Sequence, residues 1–303
     1  MFGGIVEVAS EGQSLSLHRG FLEANGEDGK ARVPLDQLEA LILTARSCAL
    51  SRSLISALGR RGIPVVVSGA NYEPEAMVLP VQAGPNVAGH PLDQAALTPG
   101  RRKRLWQAVV KQKLTNQATV LKFAEVVKVS QRLSSLAERV KPGDPDNFEA
   151  SGARSYFPAL FGKGFVRERG SPGINGQLNY GYAVLRACCA RSLVAVGLSP
   201  ALGLHHQSRR NPLCLADDLV EVFRPALDWL VWSTSANPNA ELTPETKRHL
   251  AQALLVEMDH EGTSLTLVRA IQRAAHGYAK ALADASTEWP LPLLPLTPRI
   301  ARA

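Results

Sequence analysis

The sequence predicts an α+β protein, with a small N-terminal β-rich domain followed by a larger all-α domain. Three observations predict it. Up to about residue 85 the apolar residues alternate or run in short stretches between turn signals. From Arg101 onward they recur at helical spacing. Between the two lies glycine and proline punctuation, Gly84-Pro85, Gly89, Pro91 and Pro99-Gly100. The expected organisation is residues 1–85 for the β-rich domain, 86–100 for a linker, 101–286 for the helical domain and 287–303 for a proline-rich tail.

In chain order, Ile5-Val-Glu-Val8 reads as a strand, Ser10-Glu-Gly12 as a turn, and Leu15-Ser-Leu17 as a strand of period two. Asn25-Gly26 and Asp28-Gly29 are turn signals, after which Ala31-Arg-Val-Pro34 resumes an extended segment. Leu35 to Leu43 reads as a short helical start running into a strand, Ser51 to Leu58 as a helix, and Gly62 to Val67 as a buried strand. Thr98-Pro99 opens a helix, since proline fits the first turn. Leu105, Val109, Leu114, Val120, Leu121, Val127, Leu133 and Leu136 carry the helical period to Val140, and Lys141-Pro-Gly-Asp-Pro145 ends it. Further helices are expected at 178–196, 216–232, from Thr243-Pro-Glu to about 259, and at 264–285. Trp289 to Pro298 reads as extended or disordered.

A chain of 303 residues with 45% hydrophobic and 20% charged residues is ordinary globular material able to bury a core. The formal charge is +7 and the pI about 9.4. Residues 101–170 hold 15 Lys and Arg against six Asp and Glu, a net +9, so the remainder sums to −2. Such a segment fits a polyanionic partner, and it fits a solvated basic face equally well. Cys48, Cys188, Cys189 and Cys214 form no C-x-x-C pair, which argues against a disulfide framework or zinc ribbon. The N-terminus lacks a charged region followed by an apolar one, and no run of about 18 apolar residues occurs, so a cytoplasmic protein without membrane spans is expected. The P-loop, G-x-S-x-G and G-x-G-x-x-G patterns are missing, which disfavours an ATPase, a serine hydrolase and a dinucleotide enzyme.

The chemistry-bearing stretch is Gly203-Leu-His-His-Gln-Ser-Arg-Arg-Asn-Pro-Leu-Cys-Leu-Ala-Asp-Asp-Leu-Val-Glu-Val-Phe-Arg-Pro225. Asp217, Asp218 and Glu221 share a helical face three and four residues apart, close in sequence to His205 and His206. Carboxylates with an imidazole suit a hard divalent ion, Mg²⁺ or Mn²⁺, and adjacent arginines suit a phosphate-bearing substrate. On spacing alone the run also reads as a solvated acidic helix start. Glu149, in a loop entering a helix, adds a carboxylate or merely favours the helix dipole. Asn175-Gly-Gln-Leu-Asn-Tyr-Gly-Tyr182 sets Asn179 and Tyr180 near a helix N-terminus, for phosphate contact or for capping and core packing. Lys163, Arg167 and Arg169, interleaved with Phe161 and Phe165, read as a backbone-binding stripe.

Together these motifs resemble the Cas1 family, the CRISPR-associated endonuclease/integrase that inserts new spacers into the CRISPR array. Trp106 to Gln117 is similar to the family's first long helix, and Glu149-Ala-Ser-Gly-Ala-Arg-Ser-Tyr-Phe157 to its first catalytic motif. Leu178 to Leu185 resembles the middle signature, and Gly197 to His206 with Leu215 to Pro225 the last, in wording most like members from type II systems. The resemblance implies that the helical domain is catalytic and that Glu149, His206 and Glu221 are catalytic metal ligands for Mg²⁺ or Mn²⁺. His206 is preferred to His205 because the family's ligand lies three residues after the glycine, here Gly203. Asp218 takes a nearby accessory acidic position. Lys163, Arg167, Asn179 and Tyr180 are read as DNA contacts, His205 as holding a neighbouring group or contacting DNA, and Arg224 as reaching a phosphate or, equally, as pairing with Glu221 or Asp218. It further implies transesterification of the 3′-hydroxyl of spacer DNA onto the CRISPR repeat, a homodimer joined through the β-rich domain, and a small Cas2 partner subunit. The proline-rich tail reads as a candidate docking segment or as merely unstructured. The rival readings are a structure-specific metal-dependent DNase, a DNA-binding scaffold with a degenerate site and, more distantly, a zinc hydrolase built on His205 and His206.

Overall fold

The structure, a computed structural model, describes residues 5–27, 29–38, 40–68, 74–78, 89–168, 171–234, 242–284 and 286–300. The N-terminal segment forms β1 (Ile5–Val8), β2 (Gln13–His18), β3 (Phe21–Gly26), β4 (Gly29–Pro34), β5 (Ala40–Leu43), β6 (Cys48–Leu50), α1 (Arg52–Arg60), β7 (Val65–Ser68) and β8 (Pro74–Val78). One sheet runs β1-β5-β7-β8, with β1, β5 and β7 parallel and β8 antiparallel to β7. The other runs β4-β3-β2-β6, an antiparallel meander closed by a parallel β6. All four residues of β5 are buried, the continuous apolar run of a parallel strand covered on both faces. Its alternation divides them: Leu41 and Leu43 pack with Leu15, Leu22, Leu54 and Val65, whereas Ala40 and Ile42 join the helical core. The sheet is thereby packed directly against the helical part.

The helical part comprises α2 (Gly89–Ala95), α3 (Pro99–Phe123), α4 (Val127–Arg139), α5 (Phe148–Phe161), α6 (Ile174–Ala195), α7 (Cys214–Val220), α8 (Arg224–Thr234), α9 (Pro244–Ala251), the ribbon β9 (Glu257–His260) and β10 (Thr263–Thr266), and α10 (Leu267–Ala283). The Thr98 hydroxyl caps α3 by accepting from the Arg101 N–H, with Pro99 in the first turn as the sequence predicts. Among the described residues no helix is long and apolar enough to cross a membrane.

Several elements differ from the sequence reading. The helical period over 101–140 belongs to two helices, because the chain turns at Glu125, which adopts φ 61°. The expected helix 216–232 breaks at Glu221–Phe223: Pro225 has no N–H to offer the Glu221 carbonyl, so the helix cannot run through. The helix expected up to 259 ends at Ala251, and Glu257 to Thr266 form a hairpin around Glu261-Gly262, both at positive φ (54° and 77°), the primed-turn geometry that suits strand twist. The stretch expected as linker contains α2, pinned by buried Gln94, whose side-chain amide donates to the Ser199 carbonyl at 3.1 Å and accepts its N–H at 2.8 Å; residues 86–88 lie outside the described residues.

The tail is extended but ordered as a strap. Trp289 is buried and donates its indole N–H to the Ala274 carbonyl at 2.8 Å. Leu293 exchanges two backbone hydrogen bonds with Asp259 of β9 (2.8 and 2.7 Å), and Leu294 is buried. Arg101 fastens the start of the strap through the Thr287 carbonyl at 2.7 Å. Apolar side chains and backbone pairing hold this segment against its own chain, so of the two readings, extended or disordered, the extended one holds.

Candidate active site

The turn after Gly203 is built around one buried carboxylate. Asp218, on α7 and fully buried, accepts the backbone N–H groups of Leu204 (2.5 Å), His205 (3.2 Å) and His206 (3.0 Å), and its Oδ1 also lies 2.8 Å from His206 Nδ1. It thus fixes both the backbone and the ring of His206 and leaves Nε2 as the remaining ring nitrogen. The hydrogen bond to Asp218 raises the His206 pKa above its ordinary value, against burial. Only glycine fits at 203. A Cβ there would stand 2.2 Å from the His206 carbonyl oxygen, 2.9 Å from Cys214 Cβ and 3.0 Å from Asp218 Oδ2. Gly203→Ala is expected to force the turn open, costing about 1–3 kcal/mol or more and moving His206. Thermal unfolding checks the first effect and DNA joining the second; unchanged values of both would contradict this packing.

Glu149 lies in the first turn of α5, whose N-terminus is capped by Asp144 accepting the Phe148 and Glu149 N–H groups, both at 2.9 Å. Glu221 lies at the break between α7 and α8, 3% exposed. Lys113 of α3, unassigned by the sequence reading, joins the two: its Nζ lies 2.7 Å from Glu149 Oε1 and 2.5 Å from Glu221 Oε2. Arg224 holds the other oxygen of Glu221 at 2.7 Å. Burial works to raise the Glu221 carboxyl, but Arg224 and Lys113 prevail and keep it below its ordinary value. Burial likewise works to lower Lys113, and Glu221 and Glu149 outweigh it. Glu221 and Lys113 each favour the charged form of the other.

Glu149, His206 and Glu221 line one cleft of about 640 Å³, together with Arg167, Asn179, Tyr182, Arg186, Asp217 and Arg224. Three separated segments thus bring the three sequence-predicted ligands to one place. Their chemistry fits a hard divalent ion, and the buried Glu221 Oε2 has no hydrogen-bond partner beyond its ion contact with Lys113. Yet among the described residues no three His, Cys, Asp or Glu side chains are grouped closely enough to hold an ion. Lys113 Nζ stands between the two glutamates.

Other predicted residues separate. Arg167 lines the cleft, held by Asn175 Oδ1 (2.8 Å) and Asn179 Oδ1 (2.6 Å). Lys163 is exposed, and Arg169 lies outside the described residues. The interleaved Phe161 and Phe165 pack on each other with ring centroids 4.9 Å apart, so they serve the fold rather than a stacking stripe. Tyr180 is buried and gives its hydroxyl to Glu7 of β1 at 3.1 Å; it ties the β-rich part to α6, which corrects its assignment to DNA contact. His205 is exposed and stacks on Trp106 with centroids 4.4 Å apart, lining a neighbouring cavity and not the cleft. Asp217 pairs with Arg186 (2.5 and 3.0 Å), a residue sequence reasoning missed.

In the wall of the cleft Tyr182 stacks under Arg224 (4.7 Å) and donates its hydroxyl to Asp228, 1% exposed. Burial pushes the Asp228 carboxyl up to about 6, against the Tyr182 hydroxyl. A carboxyl with a raised folded-state pKa contributes its full stability below the unfolded value of about 4 and loses it as pH rises through about 6. Asp228→Asn removes that loss. The stability difference between variant and wild type should therefore move in the variant's favour by up to about 3 kcal/mol between pH 4 and pH 8, measured by denaturant unfolding. A difference that does not change with pH would refute the assignment.

The family model described as CRISPR associated protein Cas1 matches residues 6–264. The CRISPR-associated endonuclease Cas1 of Neisseria meningitidis is 35% identical over 277 residues, 90% of each chain. Among solved structures, a casposase bound to integration product is similar with a TM-score of 0.75 at 19% identity, over 94% of this chain and 92% of that one. A chain of a Cas6-RT-Cas1–Cas2 complex reaches 0.73 at 18% identity, over 95% of this chain and 36% of that one. At such identities the structural likeness concerns the fold.

Proposed function

The chain belongs to the CRISPR-associated Cas1 family, and on that premise we propose that it is the metal-dependent DNA integrase and endonuclease of CRISPR adaptation. The observation that carries the reading is the meeting of Glu149, His206 and Glu221, from three segments, in one cleft lined by Arg167, Arg186 and Arg224. In this reading Glu149, His206 and Glu221 hold one Mg²⁺ or Mn²⁺, which when bound supplies Lewis-acid stabilisation of charge developing on the phosphate. Asp218 orients His206. Arg167 and Arg224 position a backbone phosphate, while Lys163 and His205 contact DNA further out. The 3′-hydroxyl of the incoming duplex attacks the repeat phosphodiester; one P–O bond forms as another breaks, and the departing 3′-oxygen takes up a proton. No nucleotide hydrolysis is required, in keeping with the missing P-loop.

Double-stranded DNA, a second copy of the chain meeting through the β-rich part, and a small Cas2 subunit are the proposed partners. The presence of Cas2 in the complex named above supports the last. A second reading, a DNA-binding scaffold with a degenerate site, is favoured by the lack of a ready-made ion-binding group among the described residues. One experiment separates the readings. The protein, Cas2, Mn²⁺ and a supercoiled plasmid carrying a repeat are incubated with a duplex ending in 3′-hydroxyl or in 3′-dideoxy. Joining that requires the 3′-hydroxyl is expected. Nicking indifferent to the duplex end would indicate a structure-specific DNase, and DNA binding without chemistry would indicate the scaffold.

A further inference from the structure

The two glutamates of the cleft are balanced in charge without an ion. Glu149 and Glu221 contribute two negative charges, and Lys113 and Arg224, both in direct contact with them, contribute two positive ones. The remaining acids are already engaged: Asp218 by His206 and three backbone N–H groups, Asp217 by Arg186 and Asn211. Lys113 cannot easily withdraw. It projects from the middle of α3, its side chain is 7% exposed, and that of Glu221 is 4% exposed. A divalent ion entering alone would leave two uncompensated positive charges in a largely buried site, which is costly. A phosphodiester arriving with the ion supplies one of the two missing negative charges and so halves the excess.

We propose that Lys113 is the built-in counter-charge of the two glutamates, so that the site takes up its divalent ion tightly only together with a DNA phosphate. The proposal rests on Glu149 and Glu221 being ion ligands, and it makes Lys113 a positioning residue that couples ion binding to DNA binding. The ion site then stays weak until DNA is seated, which limits idle chemistry.

The test measures Mn²⁺ binding through the electron paramagnetic resonance signal of free Mn²⁺, using the full-length protein with and without a 3′-hydroxyl duplex. A Glu149→Ala/Glu221→Ala double variant gives the baseline for ions held by DNA alone. Wild type is expected to bind Mn²⁺ at least about fivefold more tightly with the duplex, the lower end of ordinary coupling between sites. Lys113→Met is expected to bind Mn²⁺ without DNA about tenfold more tightly than wild type and to lose most of the duplex dependence, while Lys113→Arg follows wild type. DNA-free binding by Lys113→Met no tighter than wild type would overturn the proposal. So would wild-type affinity indifferent to the duplex, a result that needs no variant to fold. Wild type at the double-variant baseline under both conditions would overturn the ligand reading itself, and the proposal with it.

Discussion

Glu221→Ala is expected to abolish metal-dependent joining and also to cost about 3 kcal/mol of stability, because it removes the carboxylate partner of Arg224 and leaves the buried Lys113 with Glu149 alone. Lys113 and Arg224 both lean on this carboxylate, at 2.5 and 2.7 Å. Glu149→Ala should abolish the same chemistry at much smaller structural cost. Its side chain is 25% exposed, and Lys113 keeps Glu221 as partner when it is gone. Equilibrium denaturation of the two variants, read beside the joining assay, checks the contrast. Equal stability losses would mean that the ion cluster is not organised around Glu221.

Removal of residues 287–303 is the second large effect. Burying a Trp of this kind is worth about 3–5 kcal/mol when it is deleted to Ala, so truncation should lower stability by at least that much. Trp289 packs on Tyr278 with centroids 5.0 Å apart and is hydrogen-bonded to Ala274. The strap also reaches the site. The buried Asn116 amide donates to the Val222 carbonyl at 2.9 Å, one residue beyond Glu221, and to the Pro292 carbonyl at 3.3 Å, and accepts the Leu294 N–H at 2.9 Å. Losing the strap frees this amide and loosens the backbone behind Glu221, so joining should fall together with stability. Calorimetric melting of the truncated chain beside Trp289→Ala measures the effect. A melting temperature unchanged by truncation would show that the strap contributes nothing.

What the sequence made legible was mostly local. Thr98-Pro99 announces α3 because capping and proline placement act within one turn, and the apolar stretch Gly62 to Val67 announces β7. The ordered motifs named Glu149, His206 and Glu221, and the fold sets all three along one cleft. Asp218 was named as an accessory acid, and its work is to hold the His206 turn. What stayed hidden depended on distant partners. Lys113 looks like any lysine in Lys111-Gln-Lys113; only the fold brings it to Glu149 and Glu221, though its sharing a buried helix face with Asn116 and Gln117 was a usable sign. Tyr180 sits beside Asn179, yet successive residues on a helix point apart, one into the cleft and the other onto Glu7. The tail lacks periodicity because it is a single strap paired to β9, and that pairing is tertiary.

If Glu149, His206 and Glu221 act as one ion-holding unit for joining DNA ends, none of the three is dispensable. The most direct measurement compares wild type with Glu149→Ala, His206→Ala and Glu221→Ala, each given Cas2, Mn²⁺, a 3′-hydroxyl duplex and a supercoiled repeat plasmid. Covalent joining is expected of wild type, and its loss is expected in all three variants, with duplex binding retained in Glu149→Ala. Joining that survives any one of the three substitutions would contradict that shared role.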